Sequence, residues 1–273
     1  MMSRANLLKL RFLQSKVLFF AVFVLLLFVC SCSEKKDIQE EIINLVRYEC
    51  DNGKWGFKDT TTQEIVIECK YDYAGNFQEG LAGVELNNKW GFIDATGKEI
   101  VPLKYGCVWY FSEGLAGGEL NNKWGFVDAT GKEVIPFKYD YVDNFSEGLA
   151  GVELNDKWGF INKSSKEVIP LKYDNVDYFI KEFAAVRLNE EWGFVDVTGK
   201  EVVPIKYDIV WRFNEGFAPV ALNGKQGFVD VTGKEVISLK YDEVDHFIGG
   251  KAWVGLNGER FCIDKQGNRV DCE

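Results

Sequence analysis

The chain has 273 residues and a formal net charge of −10, with 47% apolar and 15% aromatic residues. This apolar content excludes a chain that is disordered throughout, because disordered chains lack enough apolar surface to bury. The excess of acidic residues argues against nucleic acid or anionic lipid as a partner, since both favour a basic protein face. We therefore expect no nucleic-acid partner.

The N-terminus has the layout of a secretory signal peptide. Residues 1–16 carry four basic residues and no acidic one, and residues 17–29 form an uninterrupted apolar run. As a helix this run would span roughly 20 Å, which is less than the roughly 30 Å hydrocarbon core of a bilayer. A transmembrane anchor is therefore the less favoured alternative.

The apolar run ends in Val29-Cys30-Ser31-Cys32, which resembles the lipobox of bacterial lipoproteins, although Cys30 is unusual at the second position. The resemblance implies that residues 1–31 are removed, that Cys32 is acylated, and that the lipid attaches the protein to a membrane. Residues 32–44 are then a polar tether. We expect a lipid-anchored protein of the bacterial cell envelope, at the outer membrane. Losing four of the 32 basic residues leaves 28 against 42 acidic ones, a net charge of −14.

From residue 45 to residue 273 the sequence is a tandem repeat. Residues 89–105 are the clearest copy, and equivalent stretches recur at steps of 34 residues after one step of 35. The Trp positions of the repeat are Trp55, Trp90, Trp124, Trp158 and Trp192, and Gln226 and Arg260 then occupy the same position. A fixed period of this length indicates an array of seven structural units rather than an ordinary domain.

Each copy predicts three β-strands and no helix. Leu81–Leu86 alternates as a half-buried strand does, and residues 90–94 and 98–103 follow as the second and third strands. Asn87-Asn88 predicts a tight hairpin turn with positive φ, and Gly97 predicts a left-handed position in the second turn. The unit is therefore a three-stranded β-meander, followed by a segment that crosses to the next copy.

The repeated Lys-Trp-Gly-Phe-Ile/Val-Asp-x-Thr-Gly-Lys-Glu resembles the WG-repeat family of bacterial proteins, and the resemblance covers about residues 48–273. It implies a β-rich repeat domain, often exported or lipid-anchored, without a general enzymatic activity. Two all-β architectures compete, an open solenoid of stacked hairpins and a closed seven-bladed propeller. We favour the open solenoid, because both terminal copies are atypical and because 34 residues are few for a propeller blade.

Five cysteines follow the tether, and four of them lie in the two terminal copies. Cys262 and Cys272 flank a turn symmetrically, which predicts a disulfide across a hairpin, and Cys50 and Cys69 are placed to close the first copy. An exported protein keeps such bonds. Cys107 is left as a buried thiol.

No stretch of the sequence predicts an active site, a cofactor or a metal centre. The only histidine is His246, which we interpret as a loop residue. Aspartates recur at equivalent turns of the copies, which indicates a structural role, although a ladder of calcium sites remains an alternative. A hydrolase acting on envelope polysaccharide would instead need a pair of carboxylates that is not repeated.

The tryptophans supply the candidate binding residues. We expect the five repeat tryptophans to pack in the core, whereas Trp109, Trp211 and Trp253 lie outside the repeat position and are candidates for exposed ligand contacts. The sequence thus predicts a non-enzymatic, monomeric protein that presents a β-repeat array to another protein or to a cell-envelope glycan.

Overall fold

The computed structural model describes residues 44–272. The signal peptide (1–31), Cys30, the acylation candidate Cys32 and most of the tether lie outside these described residues, so their assignments stay predictions. Within residues 44–272 no helix is long and apolar enough to cross a membrane.

Residues 44–272 form seven consecutive antiparallel sheets, one for each copy of the repeat, and we call them units 1 to 7. Unit 1 contains β1 (Leu45–Glu49), β2 (Trp55–Asp59) and β3 (Ile65–Tyr71). Unit 2 contains β4 (Tyr73–Gln78), β5 (Leu81–Leu86), β6 (Lys89–Ile93) and β7 (Glu99–Tyr105). Unit 3 contains β8 (Leu115–Leu120), β9 (Lys123–Asp128) and β10 (Glu133–Tyr139).

The later units repeat the four-stranded pattern of unit 2. Unit 4 contains β11 (Tyr141–Val142), β12 (Leu149–Leu154), β13 (Lys157–Asn162) and β14 (Glu167–Tyr173). Unit 5 contains β15 (Asn175–Val176), β16 (Phe183–Leu188), β17 (Glu191–Asp196) and β18 (Glu201–Tyr207). Unit 6 contains β19 (Ile209–Val210), β20 (Phe217–Leu222), β21 (Lys225–Asp230) and β22 (Glu235–Tyr241). Unit 7 contains β23 (Glu243–Val244), β24 (Lys251–Leu256), β25 (Glu259–Asp264) and β26 (Arg269–Val270).

The crossing segment adds a strand that the three-stranded prediction missed. In unit 4, for example, Tyr141 pairs with Glu153 and Val142 pairs with Val152, so β11 becomes the first strand of the sheet. Five of the seven sheets gain a fourth strand in this way. The segment is only two residues long in most units, which is too short to show period-two alternation in the sequence.

The predicted turns are confirmed. Asn87 and Asn88 have φ of 54° and 60°, as a two-residue hairpin turn requires, and Gly97 has φ of 81°. In the second turn, the Asp94 carboxylate accepts hydrogen bonds from Thr96 N at 2.9 Å and from Lys98 N at 3.0 Å. Recurrent aspartates of this type therefore build turns.

A bulge in the last strand of units 1 to 6 explains the glycine that follows the repeat tryptophan position. The register shifts between Trp90 and Phe92, where β7 crowds β6, and a Cβ on Gly91 would lie 2.5 Å from the carbonyl oxygen of Val101. The crowding atoms belong to the backbone of the neighbouring strand, so the close approach of two backbones explains the glycine. Unit 7 has a two-residue last strand without a register shift, and it holds Phe261 at the glycine position.

The middle strand of a unit is the one that carries the repeat tryptophan position, such as β6 in unit 2. In the internal units this strand is buried on both faces by the two neighbouring units. In unit 2, Ile93 packs in a cluster with Phe57 of unit 1, whereas Phe92 packs in a cluster with Val127 of unit 3. Six such clusters join the seven units in chain order. At each boundary the phenylalanine meets a second one from the crossing segment of the next unit. The pairs are Phe57–Phe77, Phe92–Phe111, Phe126–Phe145, Phe160–Phe179, Phe194–Phe213 and Phe228–Phe247, with ring centroids 4.7–4.9 Å apart.

The two ends show that the array is open, as predicted, rather than closed into a ring. Unit 1 has Lys58 where Ile93 faces backward in unit 2, and unit 7 has Cys262 where the forward-facing phenylalanine stands in the other units. Within residues 44–272, none of the core clusters joins unit 7 to unit 1. Terminal repeats of an open array carry outer faces that differ from the internal ones.

Both predicted disulfides are present, and each closes a terminal unit. Cys50 is bonded to Cys69 in unit 1, and Cys262 is bonded to Cys272 in unit 7. Cys107 is a half-buried free thiol, and burial raises its pKa. A terminal unit has one neighbour instead of two, so a cross-link compensates for part of the missing interface.

The close approach at the repeat glycine predicts a strong effect of one methyl group. A Cβ on Gly159 would lie 2.5 Å from the carbonyl oxygen of Ile169, so Gly159→Ala should destabilise the array by about 3 kcal/mol in denaturant unfolding. Gly83→Ala is the matched control, because its nearest neighbour is a Val108 side-chain atom at 3.4 Å. Equal stability of the two variants would contradict this account of the glycine.

Candidate ligand-binding groove

The five repeat tryptophans flank the core rather than fill it. Trp124 is buried at 7% exposure, whereas Trp55, Trp90, Trp158 and Trp192 are half-buried. The fully buried aromatic rings include instead the phenylalanine two residues later, such as Phe92, and the tyrosine that ends the next strand, such as Tyr105. The prediction that the tryptophans form the core is therefore correct for Trp124, whereas the other four are only half-buried at the edge of the core.

Four of these tryptophans, Trp55, Trp90, Trp124 and Trp158, form contacts with tyrosine rings. Tyr73 lies between Trp55 and Trp90, with ring centroids at 5.9 and 5.5 Å. Tyr141 lies likewise between Trp124 and Trp158, at 5.6 and 5.7 Å. The rings therefore contribute to the boundaries between units, and most of their surface contacts other protein atoms.

Two of the three tryptophans outside the repeat position are also packed. Trp109 is half-buried, stacks on Trp124 with centroids 5.5 Å apart, and donates its indole N–H to Val142 O at 2.8 Å. Trp211 is half-buried in the equivalent position of unit 6. Trp109 and Trp211 are therefore less exposed than expected, and their role in ligand contact stays a prediction.

Trp253 is the exposed member of the set, with 41% of its surface accessible. It borders a groove of about 610 Å³ on unit 7 that we call the Trp253 groove. The residues lining it include Asp245, His246, Ile248, Trp253 and the Cys262–Cys272 disulfide. This volume lies in the range of small-molecule sites, and its lining combines apolar and polar groups as such sites do.

An ion-pair network holds the Trp253 ring in place. The guanidinium of Arg260 lies over the ring, 5.2 Å from its centroid. Arg260 Nη2 donates to the Asp245 carboxylate at 2.8 Å, and its Nε lies 3.8 Å from Glu243 Oε1.

Comparison of the units shows why unit 7 can accommodate a tryptophan here. The equivalent positions in units 2 to 6 hold Gly83, Gly117, Gly151, Ala185 and Pro219. A Cβ on Gly117 would lie 3.0 Å from a Val142 methyl of unit 4, and one on Gly151 would lie 3.1 Å from a Val176 methyl of unit 5. The atoms nearest to these two Cβ positions are Trp109 Cδ1 at 2.8 Å and Asp143 Oδ2 at 2.9 Å, which belong to the crossing segment of the same unit. Space is therefore limited both by the unit itself and by the unit that follows, and within residues 44–272 no unit follows unit 7.

One carboxyl group stands apart from the repeated aspartates. Burial is the main cause that raises the pKa of Asp143 to about 6, and the negative charge of Asp177 is the second cause. Asp177 itself forms a two-point ion pair with Arg212, with both N–O distances at 3.1 Å. Sequence reasoning missed Asp143, because its position in the crossing segment holds Trp109 in unit 3 and Trp211 in unit 6 and so looks freely variable. Within residues 44–272 there is no group of three or more potential metal ligands.

The chain belongs to the family of proteins with WG-containing repeats. The family model matches six consecutive stretches, at residues 55–90, 90–124, 124–158, 158–192, 192–225 and 227–259. Among curated proteins, no relative matches the chain.

One solved structure shares the fold at low sequence identity, and others resemble the chain more weakly. The crystal structure of a eukaryotic initiation factor matches with a TM-score of 0.51 and 12% identity, over 82% of this chain and 72% of that one. More distant likenesses include the dihydro-heme d1 dehydrogenase NirN (TM-score 0.41, 13% identity, 85% of this chain and 64% of that one). Another is Hsv2 of Kluyveromyces lactis (TM-score 0.40, 12% identity, 69% and 72%). At these identities the likeness concerns the fold alone.

The raised pKa of Asp143 predicts an unusual pH dependence. Because the folded-state pKa of about 6 exceeds the unfolded value, the stability that this group contributes is present below about pH 4 and lost as pH rises through 6. Asp143→Asn should therefore raise the free energy of unfolding at pH 7.5 by about 1–2 kcal/mol, after discounting for partial exposure, and change it little at pH 4.

Asp128→Asn is the control, for which we expect the opposite change in the free energy of unfolding at pH 7.5. The side-chain hydrogen bond from Thr130 lowers the pKa of Asp128, and unit 4 has Asn162 at the same position with the same turn contacts. Its carboxylate contributes stability at neutral pH that is lost on acidification, so this variant should be slightly less stable at pH 7.5. A destabilised Asp143→Asn protein at pH 7.5 would show that the carboxylate is favourably paired.

Proposed function

We propose that the chain is a non-enzymatic, lipid-anchored protein of the bacterial cell envelope, whose WG-repeat array binds another envelope component, a protein or a glycan. The observation that carries the binding role is the Trp253 groove. Its tryptophan is exposed, is held by Arg260, and departs from the small residues that the repeat uses at this position. Exposed aromatic residues on a rigid scaffold are typical of binding sites.

The proposed location rests on the N-terminal sequence. The basic segment, the short apolar run and Cys32 after Val29-Cys30-Ser31 support export, acylation and membrane attachment at the outer membrane. The net charge of −14 expected for the mature chain supports a partner other than nucleic acid. The two disulfides fit an oxidising compartment. A monomer is the proposed state, because an open array with atypical terminal units has no matching face to extend it.

A second candidate, a hydrolase of envelope polysaccharide, is favoured by one observation. Asp143 and Asp177 are carboxyl groups close enough for their charges to interact, and burial followed by the charge of Asp177 raises the pKa of Asp143 to about 6. A raised pKa is typical of the acid in the carboxyl pair of a glycosidase. However, the two aspartates occupy equivalent positions in successive units, and Arg212 already pairs with Asp177.

The two candidates differ in what happens to the ligand. The purified full chain should retain a polysaccharide or protein fraction of the cell envelope without changing it, as monitored by sedimentation together with analysis of sugar reducing ends. Asp143→Asn serves as the matched variant and should retain the same material. Release of new reducing ends by the wild type, abolished in Asp143→Asn, would contradict the non-enzymatic proposal.

The proposed lipid anchor has a direct test. Cys32→Ser should abolish incorporation of labelled palmitate and move the protein from the membrane fraction to the soluble fraction, because no acyl acceptor remains. Cys30→Ser is the matched control and should leave both unchanged. Continued labelling of Cys32→Ser would show that the acylation site is assigned to the wrong residue.

A further inference from the structure

We propose that the ligand of the Trp253 groove is a glycan, with one sugar ring stacked on Trp253 and its hydroxyl groups hydrogen-bonded to Asp245 and His246. This inference rests on the proposed binding function and names the class of ligand. A pyranose ring has an apolar C–H face and a polar edge. The groove has the complementary arrangement, a flat aromatic ring beside a carboxylate and an imidazole.

The tryptophan at this position is not required by the fold. In units 2 to 4 the same position is glycine, and the strand forms equally well there. Burial also gives no reason for it, since 41% of the Trp253 surface stays exposed, although the neighbouring residues Ala252 and Val254 are buried. Trp253 and Ile248 are both exposed and border the same groove, and exposed apolar side chains that share one groove mark an interaction site, whereas scattered ones do not.

The ring is prepared for stacking on one side. Arg260 lies over the Trp253 ring but does not line the groove, whereas Trp253 lines it and stays 41% exposed, so part of the ring surface is accessible to a ligand in the groove. Arg260 is itself tied to Asp245 at 2.8 Å. The same contact leaves the second carboxylate oxygen of Asp245 able to accept from a sugar hydroxyl. Ring and carboxylate therefore contact the same guanidinium.

The rim of the groove is rigid as well. The turn at Gly249 and Gly250 is held by the Glu215 carboxylate of unit 6, which accepts from Gly249 N at 2.7 Å and from Gly250 N at 3.0 Å. Lys265 fixes Glu215 at 3.1 Å. A Cβ on either glycine would meet nothing within 4 Å, so this side of the groove stays open. An open groove with fixed walls suits an extended oligosaccharide better than an enclosed single sugar.

The groove suits a glycan better than a protein partner. A stable protein interface buries about 800 Å² on each side around a cluster of apolar residues. Here the exposed large apolar side chains of the lining are Trp253 and Ile248, and they are flanked by Asp245, His246 and Lys251. Such a small apolar area among polar groups matches the amphipathic surface of a sugar.

Isothermal titration calorimetry of the purified full chain in detergent tests this proposal. The probes are cellohexaose, chitohexaose and mannohexaose, and at least one should bind. Trp253→Ala should weaken that binding about tenfold or more, because the stacking surface is lost. The variant should fold, since Ala185 stands at this position in unit 5. Trp253→Phe should weaken binding less, since a smaller ring remains. Tyr110→Ala is the control, as it removes a ring that is 57% exposed on unit 3 and should leave binding unchanged.

Three outcomes would overturn the inference, and each can be told apart from a failure of the proposed binding function. If no hexasaccharide binds while the wild type still retains an envelope protein, the chain is a binding protein but its ligand is not a glycan. If Trp253→Ala and Trp253→Phe bind a hexasaccharide as the wild type does, the groove is not the site. If Tyr110→Ala weakens binding as much as Trp253→Ala, the ring on unit 7 has no special role.

Discussion

Contact between two phenylalanine rings at each boundary is the interaction on which the rest of the structure depends. One ring comes from the middle strand of a unit and the other from the crossing segment of the next, and the pair recurs six times with nearly constant geometry. Because the middle strand is buried on both faces, a single unit would expose a phenylalanine on one side and an isoleucine or valine on the other. Each unit thus requires its neighbours, and the stability of the array is a sum of boundaries.

Polar contacts follow the same connectivity but contribute less. Lys123 pairs with Asp140, and the second oxygen of Asp140 accepts from Asn155 N at 2.7 Å in the hairpin turn of unit 4. These groups are partly exposed, so each pair contributes little to stability and mainly sets the relative position of the units. The Trp253 groove lies where such boundary contacts are missing. In unit 7 the forward-facing phenylalanine is replaced by Cys262 and its disulfide, which leaves an outer face that no unit covers within residues 44–272.

Much of this architecture could be predicted from the sequence, because its causes are local. The 34-residue period, the hairpin turn at Asn87-Asn88 and the disulfide between Cys262 and Cys272 depend on residues near each other in the chain. The central role of Phe92 over Trp90 was missed, since either aromatic residue fits an alternating strand and only the facing unit decides which is buried. The reason for Gly91 was missed for the same cause, because the bulge that crowds it lies in the next strand. Trp253 was found as an exception to the repeat, but the sequence did not show that it is exposed whereas Trp109 is half-buried. The difference arises because within residues 44–272 no unit packs on the outer face of unit 7.

Hydrogen–deuterium exchange of Phe160→Ala tests most directly whether the array is a linear sum of boundaries. Phe160 is fully buried at the boundary between units 4 and 5. Its loss should cost about 3–5 kcal/mol. The account predicts faster amide exchange in units 4 and 5, a smaller effect in units 3 and 6, and unchanged protection in units 1 and 7, which are two or more boundaries away. A uniform loss of protection in all seven units would contradict it, because that result requires a single cooperative ring.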